Sequence, residues 1–281
     1  MKSIIITGSS GFIGSFLINE LKKEKLNIFE YSSKDGDITK KETWLKMPKA
    51  NYLIHLAAKT FIPKSWEDPI KFIDTNTIGL LNAIEYCREN KCKLIYLSTF
   101  VYGNKDAPID EQSELNPQNP YSLSKLLGEN ICSFYKKVYG LNVIILRPFN
   151  IFGKGQNDLF LIPALIKQIE NEKKITVMDK KPRRDYLYVK DLISAIKKSI
   201  FYKGNSYIFN IASGISYSVE EVIEIIQKIC NTNLEVISKN KVRKMELNET
   251  VANIELARNE LNWEPKYTLN NALKEMLQDH L

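Results

Sequence analysis

Ile4-Ile5-Ile6-Thr7-Gly8-Ser9-Ser10-Gly11-Phe12-Ile13-Gly14 stands at the head of a 281-residue chain. The three isoleucines are a β-branched run typical of a strand buried on both faces, and Thr7-Gly8 begins the turn after it. A helix is expected to start near Gly11 or Phe12. Gly8 permits the tight turn, Gly11 lets backbone approach a pyrophosphate, and Gly14 lets the helix pack on the strand. Ser10, Phe12 and Ile13 complete a loop whose free N–H groups and positive dipole end would meet phosphates. The spacing is G-x-x-G-x-x-G. A strand, turn and helix without a ligand is the competing reading, disfavoured by three glycines so spaced near the N-terminus. The first expectation is therefore a dinucleotide site.

The next strand, Asn27 to Tyr31, ends where the adenosine ribose should lie. An acidic residue about 20 positions after the glycines would accept the ribose 2′-hydroxyl. The count reaches Ser32-Ser33-Lys34 instead, with Glu30 slightly early. Two hydroxyls and an ammonium suit a 2′-phosphate, which leans the reading from NAD toward NADP; a solvated turn accounts for the same residues.

A second motif, Tyr121-Ser122-Leu123-Ser124-Lys125, would move a proton. A tyrosine with an ordinary pKa of about 10 needs a nearby cation to work near neutral pH. Lys125 lies one helical turn on, where it would stabilise the phenolate and hold the nicotinamide ribose. The same spacing recurs at Tyr186 to Lys190, so position decides between them. Asn119-Pro120 sets a helix start before Tyr121, and the preceding strand, Lys93 to Leu97, carries Ser98 and Thr99 at its end. Ligands of open α/β sheets bind at such strand ends. Tyr186 has no such company, and its lysine reads as solvated.

At this point the chain resembles the extended short-chain dehydrogenase/reductase family, the group of nucleotide-sugar epimerases, 4,6-dehydratases and 4-keto reductases. The likeness spans nearly the whole chain. It also rests on His55-Leu56-Ala57-Ala58, Asp74-Thr75-Asn76, Ser98-Thr99-Phe100-Val101-Tyr102-Gly103, Leu146-Arg147-Pro148-Phe149-Asn150, Arg184-Asp185-Tyr186 and Asn262-Trp263-Glu264-Pro265. The resemblance implies that Asp37 and Ile38 meet the adenine, and that Leu56, Ala57, Ala58 and Asn76 border the cofactor. It implies further that Asn150 and Arg184 bind the substrate diphosphate, and that Arg243 and Glu246 hold phosphate and ribose, with Glu in place of the family's Asp. The hydroxyl that orients the substrate oxygen falls by the family count on Ser98, with Thr99 as its alternate.

An absence narrows the chemistry. The dehydratases carry an Asp-Glu pair after this hydroxyl, since eliminating water needs an acid and a base beyond the tyrosine; here Phe100-Val101 follows. That leaves redox at one carbon, by a 4-keto-sugar reductase or by a 4-epimerase that retains NAD. The Ser-Ser-Lys turn and the compact chain tilt the reading to the reductase. A non-catalytic cofactor sensor of the same fold would typically lack the tyrosine or lysine.

Composition is that of a globular protein, 44% hydrophobic and 26% charged, and no apolar run approaches the 18 residues of a membrane helix. No signal peptide is read, so a cytoplasmic location is expected. Cys87, Cys92, Cys132 and Cys230 lack metal-site spacing, and two histidines make a zinc cluster improbable. The net charge of +7 is mostly lysine scattered over helix turns, and the basic run Lys180-Lys181-Pro182-Arg183-Arg184 suits a diphosphate substrate, so no nucleic-acid partner is expected. Alternating strands and helices over residues 1 to 150 imply a doubly wound parallel sheet of the Rossmann type, completed by a segment near residues 185 to 215. Residues 151 to 281 mainly form a small substrate-binding lobe, with helices at roughly 160 to 171 and 218 to 230 and the Trp263 segment behind them. In the family, helices near 76 to 90 and 121 to 139 form a dimer contact; Leu126, Ile131, Phe134 and Tyr135 could supply its apolar surface, or could be core.

Overall fold

Strand β1 (Lys2–Thr7) carries Ile4, Ile5 and Ile6, all fully buried, because helices cover both faces of the sheet it enters. The computed structural model describes residues 1–241 and 245–278. The main sheet also contains β2 (Leu26–Tyr31), β3 (Tyr52–His55), β4 (Lys93–Leu97) and β5 (Val143–Pro148). After β6 (Asn150–Phe152), β7 (Lys174–Val177) and β8 (Arg183–Tyr188), the chain returns to that sheet as β9 (Ile208–Ile211). The order is β2-β1-β3-β4-β5-β9, every pairing parallel. This is a doubly wound α/β sheet. From β1 the chain builds outward to β2, then crosses back to β3 on the other side of β1, so the strand order reverses between β1 and β3 and leaves a crevice above their C-terminal ends.

Alternation along the strands divides the core. Ile4, Ile6, Ile54 and Ile95 face the helices Phe12–Leu21 and Val189–Phe201, meeting Leu17, Ile18, Leu192 and Ile196. Ile5, Leu53, Leu94 and Tyr96 face the helices Gly79–Asn90 and Pro120–Tyr139, meeting Leu80, Ile84 and Cys132. Burying each such aliphatic side chain is worth about 1.5–3 kcal/mol, which fixes the register of both layers.

The remaining strands gather on β8, which pairs with β10 (Ser216–Ser218), β12 (Glu249–Thr250) and β6; β7 pairs with β11 (Glu235–Ser238). The helices Leu161–Asn171, Val219–Ile229 and Leu269–Leu277 flank this part. The Trp263 segment differs from expectation: it packs on the sheet-side helix Val189–Phe201. Trp263 Nε1 donates to the Asp191 carbonyl and Ser194 Oγ, and the buried Asp191 carboxylate accepts from Lys266 N and Tyr267 N.

Helical structure begins before the Asp74-Thr75-Asn76 motif. Asp68 caps it by accepting from Lys71 N, Pro69 occupies its first position, and Asp74–Ile78 runs as a π-turn before Gly79–Asn90. Asn119 and Ser122 form a reciprocal cap for Pro120–Tyr139, and Gly140, with φ of 66°, ends it. That cap places Tyr121 in the first turn, over the end of β4.

Candidate active site

Gly8, with φ of 73°, turns the chain out of β1 beside the loop leaving β3. A Cβ at Gly8 would lie 2.7 Å from the Ala57 nitrogen and 2.9 Å from the Leu56 carbonyl carbon. Gly14 packs as closely, since a Cβ there would lie 2.3 Å from the Gly8 oxygen. The loops border a channel of about 490 Å³ lined by Gly8, Ser10, Gly11, Leu56, Ala57, Ala58 and Lys59. Phe12 and Ile13 open the helix but point into the fold: both pack on the core, Phe12 edge-on to Phe16 at 5.8 Å. Neither lines the channel.

At its other end the channel is lined by Tyr31, Ser32, Ser33, Gly36, Asp37 and Ile38, with Thr43 and Met47. Lys34 is exposed and does not line it. The Asp35 carboxylate accepts from Ser32 N and Oγ, each at 2.8 Å, and Lys34 N donates to Ser32 Oγ, so the turn closes on itself and leaves Lys34 outside. Asp37 is likewise engaged, accepting from Thr39 N and Oγ at 2.9 Å, and the Ile38 carbonyl accepts from Trp44 Nε1 and Asn82 Nδ2. Lys71, unmarked by any motif, and Thr75, from the Asp74-Thr75-Asn76 motif, complete the wall with Lys59. Asn76 is buried and braces the wall from behind: it accepts from Lys59 N, and its amide donates to the Lys59 carbonyl and Ser124 Oγ. Its amide is thus taken up by protein. The close-packed glycine cradle, the open helix end and the loops after β1, β2 and β3 that line one channel fit a dinucleotide.

The candidates for moving a proton lie past the end of β4 and on the first turns of the helix Pro120–Tyr139. Lys125 is buried; its Nζ donates to the Leu97 carbonyl at 2.7 Å and sits 4.8 Å from the centre of the Tyr96 ring. Burial pushes this ammonium down to about 7, opposed by Glu129 and Cys132. Burial raises the Tyr121 phenol, and a hydrogen bond with the Thr99 side chain works against that rise. Of the two candidate hydroxyls, Ser98 turns away: its Oγ donates to Glu129 Oε1 at 2.5 Å in the protein interior. Successive residues of extended chain face opposite ways, so when Ser98 enters the core Thr99 meets the tyrosine. Glu129 had a signal in the sequence, since Tyr121, Lys125 and Glu129 recur every fourth residue on one helix.

The substrate-side residues lie farther along. Asn150 Nδ2 donates to the Asp185 carbonyl at 3.1 Å. Arg184 donates to the Arg183 and Leu247 carbonyls and pairs with Glu246, both side chains largely shielded. Arg243 lies outside the described residues. At the second tyrosine–lysine spacing Tyr186 is buried, and Lys190 is exposed and pairs with Glu275. Among the described residues no cluster of three or more potential metal ligands occurs, and no helix is long and apolar enough to cross a membrane.

Comparison with known proteins agrees with this geometry. GDP-6-deoxy-D-mannose reductase of Pseudomonas aeruginosa is 28% identical over 98% of this chain and 96% of its own length. UDP-glucose 4-epimerase of Lactobacillus helveticus is 27% identical over 94% and 92%. The solved structure of RMD from Pseudomonas aeruginosa complexed with NADPH superposes with a TM-score of 0.91 at 27% identity, covering 99% of this chain and 98% of that one. With a match to the NAD dependent epimerase/dehydratase family running over residues 4–212, the chain belongs to that family.

Proposed function

We propose that this chain, an NAD(P)-dependent enzyme of nucleotide-sugar chemistry, reduces a 4-keto (deoxy)sugar nucleotide. The observation that carries the reading is the meeting of Tyr121 with the Thr99 side chain past the end of β4, where Lys125, one helical turn on, fastens to the Leu97 carbonyl. The glycine loop, Ala57, Ala58 and Ile38 would hold the cofactor, which when bound supplies the hydride. Thr99 would hold the carbonyl oxygen of the substrate toward Tyr121, which donates the proton; Lys125, as an ammonium, offsets the charge left on the phenol. Asn150 and Arg184 would receive the nucleotide diphosphate, Arg184 exchanging its Glu246 partner for phosphate, and the Glu246 carboxylate would then accept from the ribose hydroxyls. Residues beyond 150, apart from those that return to the main sheet, would form the substrate lobe.

The 28% identical reductase and the NADPH complex of RMD support reduction with NADPH over its alternative, a 4-epimerase holding NAD, which the Lactobacillus enzyme favours. Ser32 and Ser33 at the ribose end would receive the 2′-phosphate. A homodimer working in the cytoplasm is part of the proposal. Leu123, Phe134, Val138 and Tyr139 are exposed along the helix Pro120–Tyr139, whereas Ile131 and Tyr135 pack partly into the core and Leu126 is half-buried. The testing experiment is to denature the purified protein, identify released nucleotide, then titrate emptied protein with NADPH and NADH and offer 4-keto sugar nucleotides. Consumption of added NADPH supports the reductase. Tightly held NAD, with no consumption of reduced cofactor, supports the epimerase.

A further inference from the structure

Behind the reacting groups lies a buried polar network that the reaction as described does not use. Glu129, almost fully enclosed, accepts from Ser98 Oγ and from Arg147, whose Nε lies 3.0 and 3.1 Å from its two oxygens and whose Nη2 lies 2.6 Å from Oε2. Arg147 Nη1 continues to Tyr102 Oη at 2.7 Å, and Tyr102 donates to Asn210 Oδ1 at 2.6 Å. Asn210 anchors the same loop by donating to the Ile109 carbonyl and, through its backbone N–H, to Glu111. The network therefore joins the helix of Tyr121 and Lys125 to β4, β5, β9 and residues 98 to 111.

Stability alone is a poor reason for this ion pair, since buried pairs are often replaced by apolar residues without loss. Its position suggests another role. Lys125 fastens to the Leu97 carbonyl and Glu129 to the next residue's side chain, so two successive turns of the helix grip two successive residues of β4's end, and Thr99 follows directly. We propose that Glu129 is a positioning residue of this centre, clamping the Ser98–Thr99 turn so that Thr99 stays at Tyr121. This rests on reading Tyr121 and Lys125 as the proton-moving pair. The groups facing them are Tyr96 of β4, His55 of β3, Cys132 of the same helix, and Arg147, Tyr102 and Glu111 on the far side of Glu129. Burial drives Lys125 toward its neutral amine, opposed by Glu129 and Cys132.

The test uses Glu129→Gln, Glu129→Asp and the double variant Glu129→Gln/Arg147→Met, which removes both charges of the pair so that Arg147 is not left as an unpaired buried cation. Thermal midpoints identify the folded variants, and kcat, KM for the 4-keto substrate and the NADPH dissociation constant are measured for each. In the folded double variant kcat should fall about tenfold or more while NADPH binding is little changed, because Thr99 is no longer held at Tyr121. Glu129→Asp, which keeps the carboxylate, should recover part of that kcat. An unchanged kcat in the folded double variant overturns the proposal while leaving the functional reading intact. A wild type that binds neither NADPH nor NADH overturns that reading and the proposal with it.

Discussion

Replacing Gly8 with alanine tests how closely the two loops of the cofactor channel must pass. At φ of 73° a residue with a Cβ pays about 1–2 kcal/mol for the left-handed conformation alone. The added carbon would also lie 2.7 Å from Ala57 N, 2.9 Å from the Leu56 carbonyl carbon and 3.0 Å from Ala57 Cα, all backbone at the end of a buried strand. Overpacking of that kind costs about 1–3 kcal/mol more, so the expected loss is about 2–5 kcal/mol from a total of about 5–15. Gly140→Ala is the internal control: its φ is 66°, but nothing lies within 4 Å of the added carbon, so only the conformational part applies. Urea unfolding of both variants, compared by midpoint at equal slope, separates the two contributions. Gly8→Ala should also bind NADPH at least tenfold more weakly, because the shift that relieves the contact moves the channel wall, while Gly140→Ala binds normally. Equal stability of the two alanine variants would refute the close-approach reasoning.

Tyr121→Phe should bind NADPH normally and lose about 10²–10⁴-fold in turnover, the range for removal of a positioned proton carrier, and undiminished turnover would reject its role. Thr99→Val should depress kcat more than Ser98→Ala, measured at saturating substrate; the opposite order would restore Ser98 as the orienting hydroxyl. His55 accepts or donates one hydrogen bond with Thr7 at 2.9 Å, and burial, aided by Lys125, lowers its pKa to about 3. The unfolded chain therefore takes up a proton that the native state refuses as pH falls from about 6.5 toward 3, and this residue's share of stability, intact above that window, declines within it by about 1.4 kcal/mol per pH unit. His55→Gln should remove that part of the slope in urea titrations at pH 7, 6 and 5; an unchanged slope would refute it. Lys93 Nζ, within the interior, donates to the carbonyls of Ser199, Ile200 and Tyr202 and so closes the helix Val189–Phe201. Lys93→Met should cost about 1–3 kcal/mol in chemical denaturation by stranding those carbonyls, and a neutral result would mean that water reaches them.

The glycine loop and the strand pattern were legible because their causes are local: a buried parallel strand needs a β-branched run, and a turn that brings three backbones together needs residues without a Cβ. The same holds for the helix carrying Tyr121, since Asn119, Pro120 and Ser122 act within one turn. Which side chains face the reaction is a different kind of property. Ser98 and Thr99 are chemically interchangeable in a sequence, and only the buried Glu129–Arg147 pair, drawn from a helix and a strand 18 positions apart, turns one inward and leaves the other at the tyrosine. Lys34 was placed by counting residues, and the bond from Ser32 to Asp35 removed it from the channel; Lys59, Lys71 and Thr75 entered because Asn76 ties two distant segments together. The sequence by itself determined the sheet, the crevice and the kind of chemistry, through spacings read within single elements. Tertiary structure decided which hydroxyl, which cations and which carboxylate meet there, because each orientation is set by a partner far away in the chain.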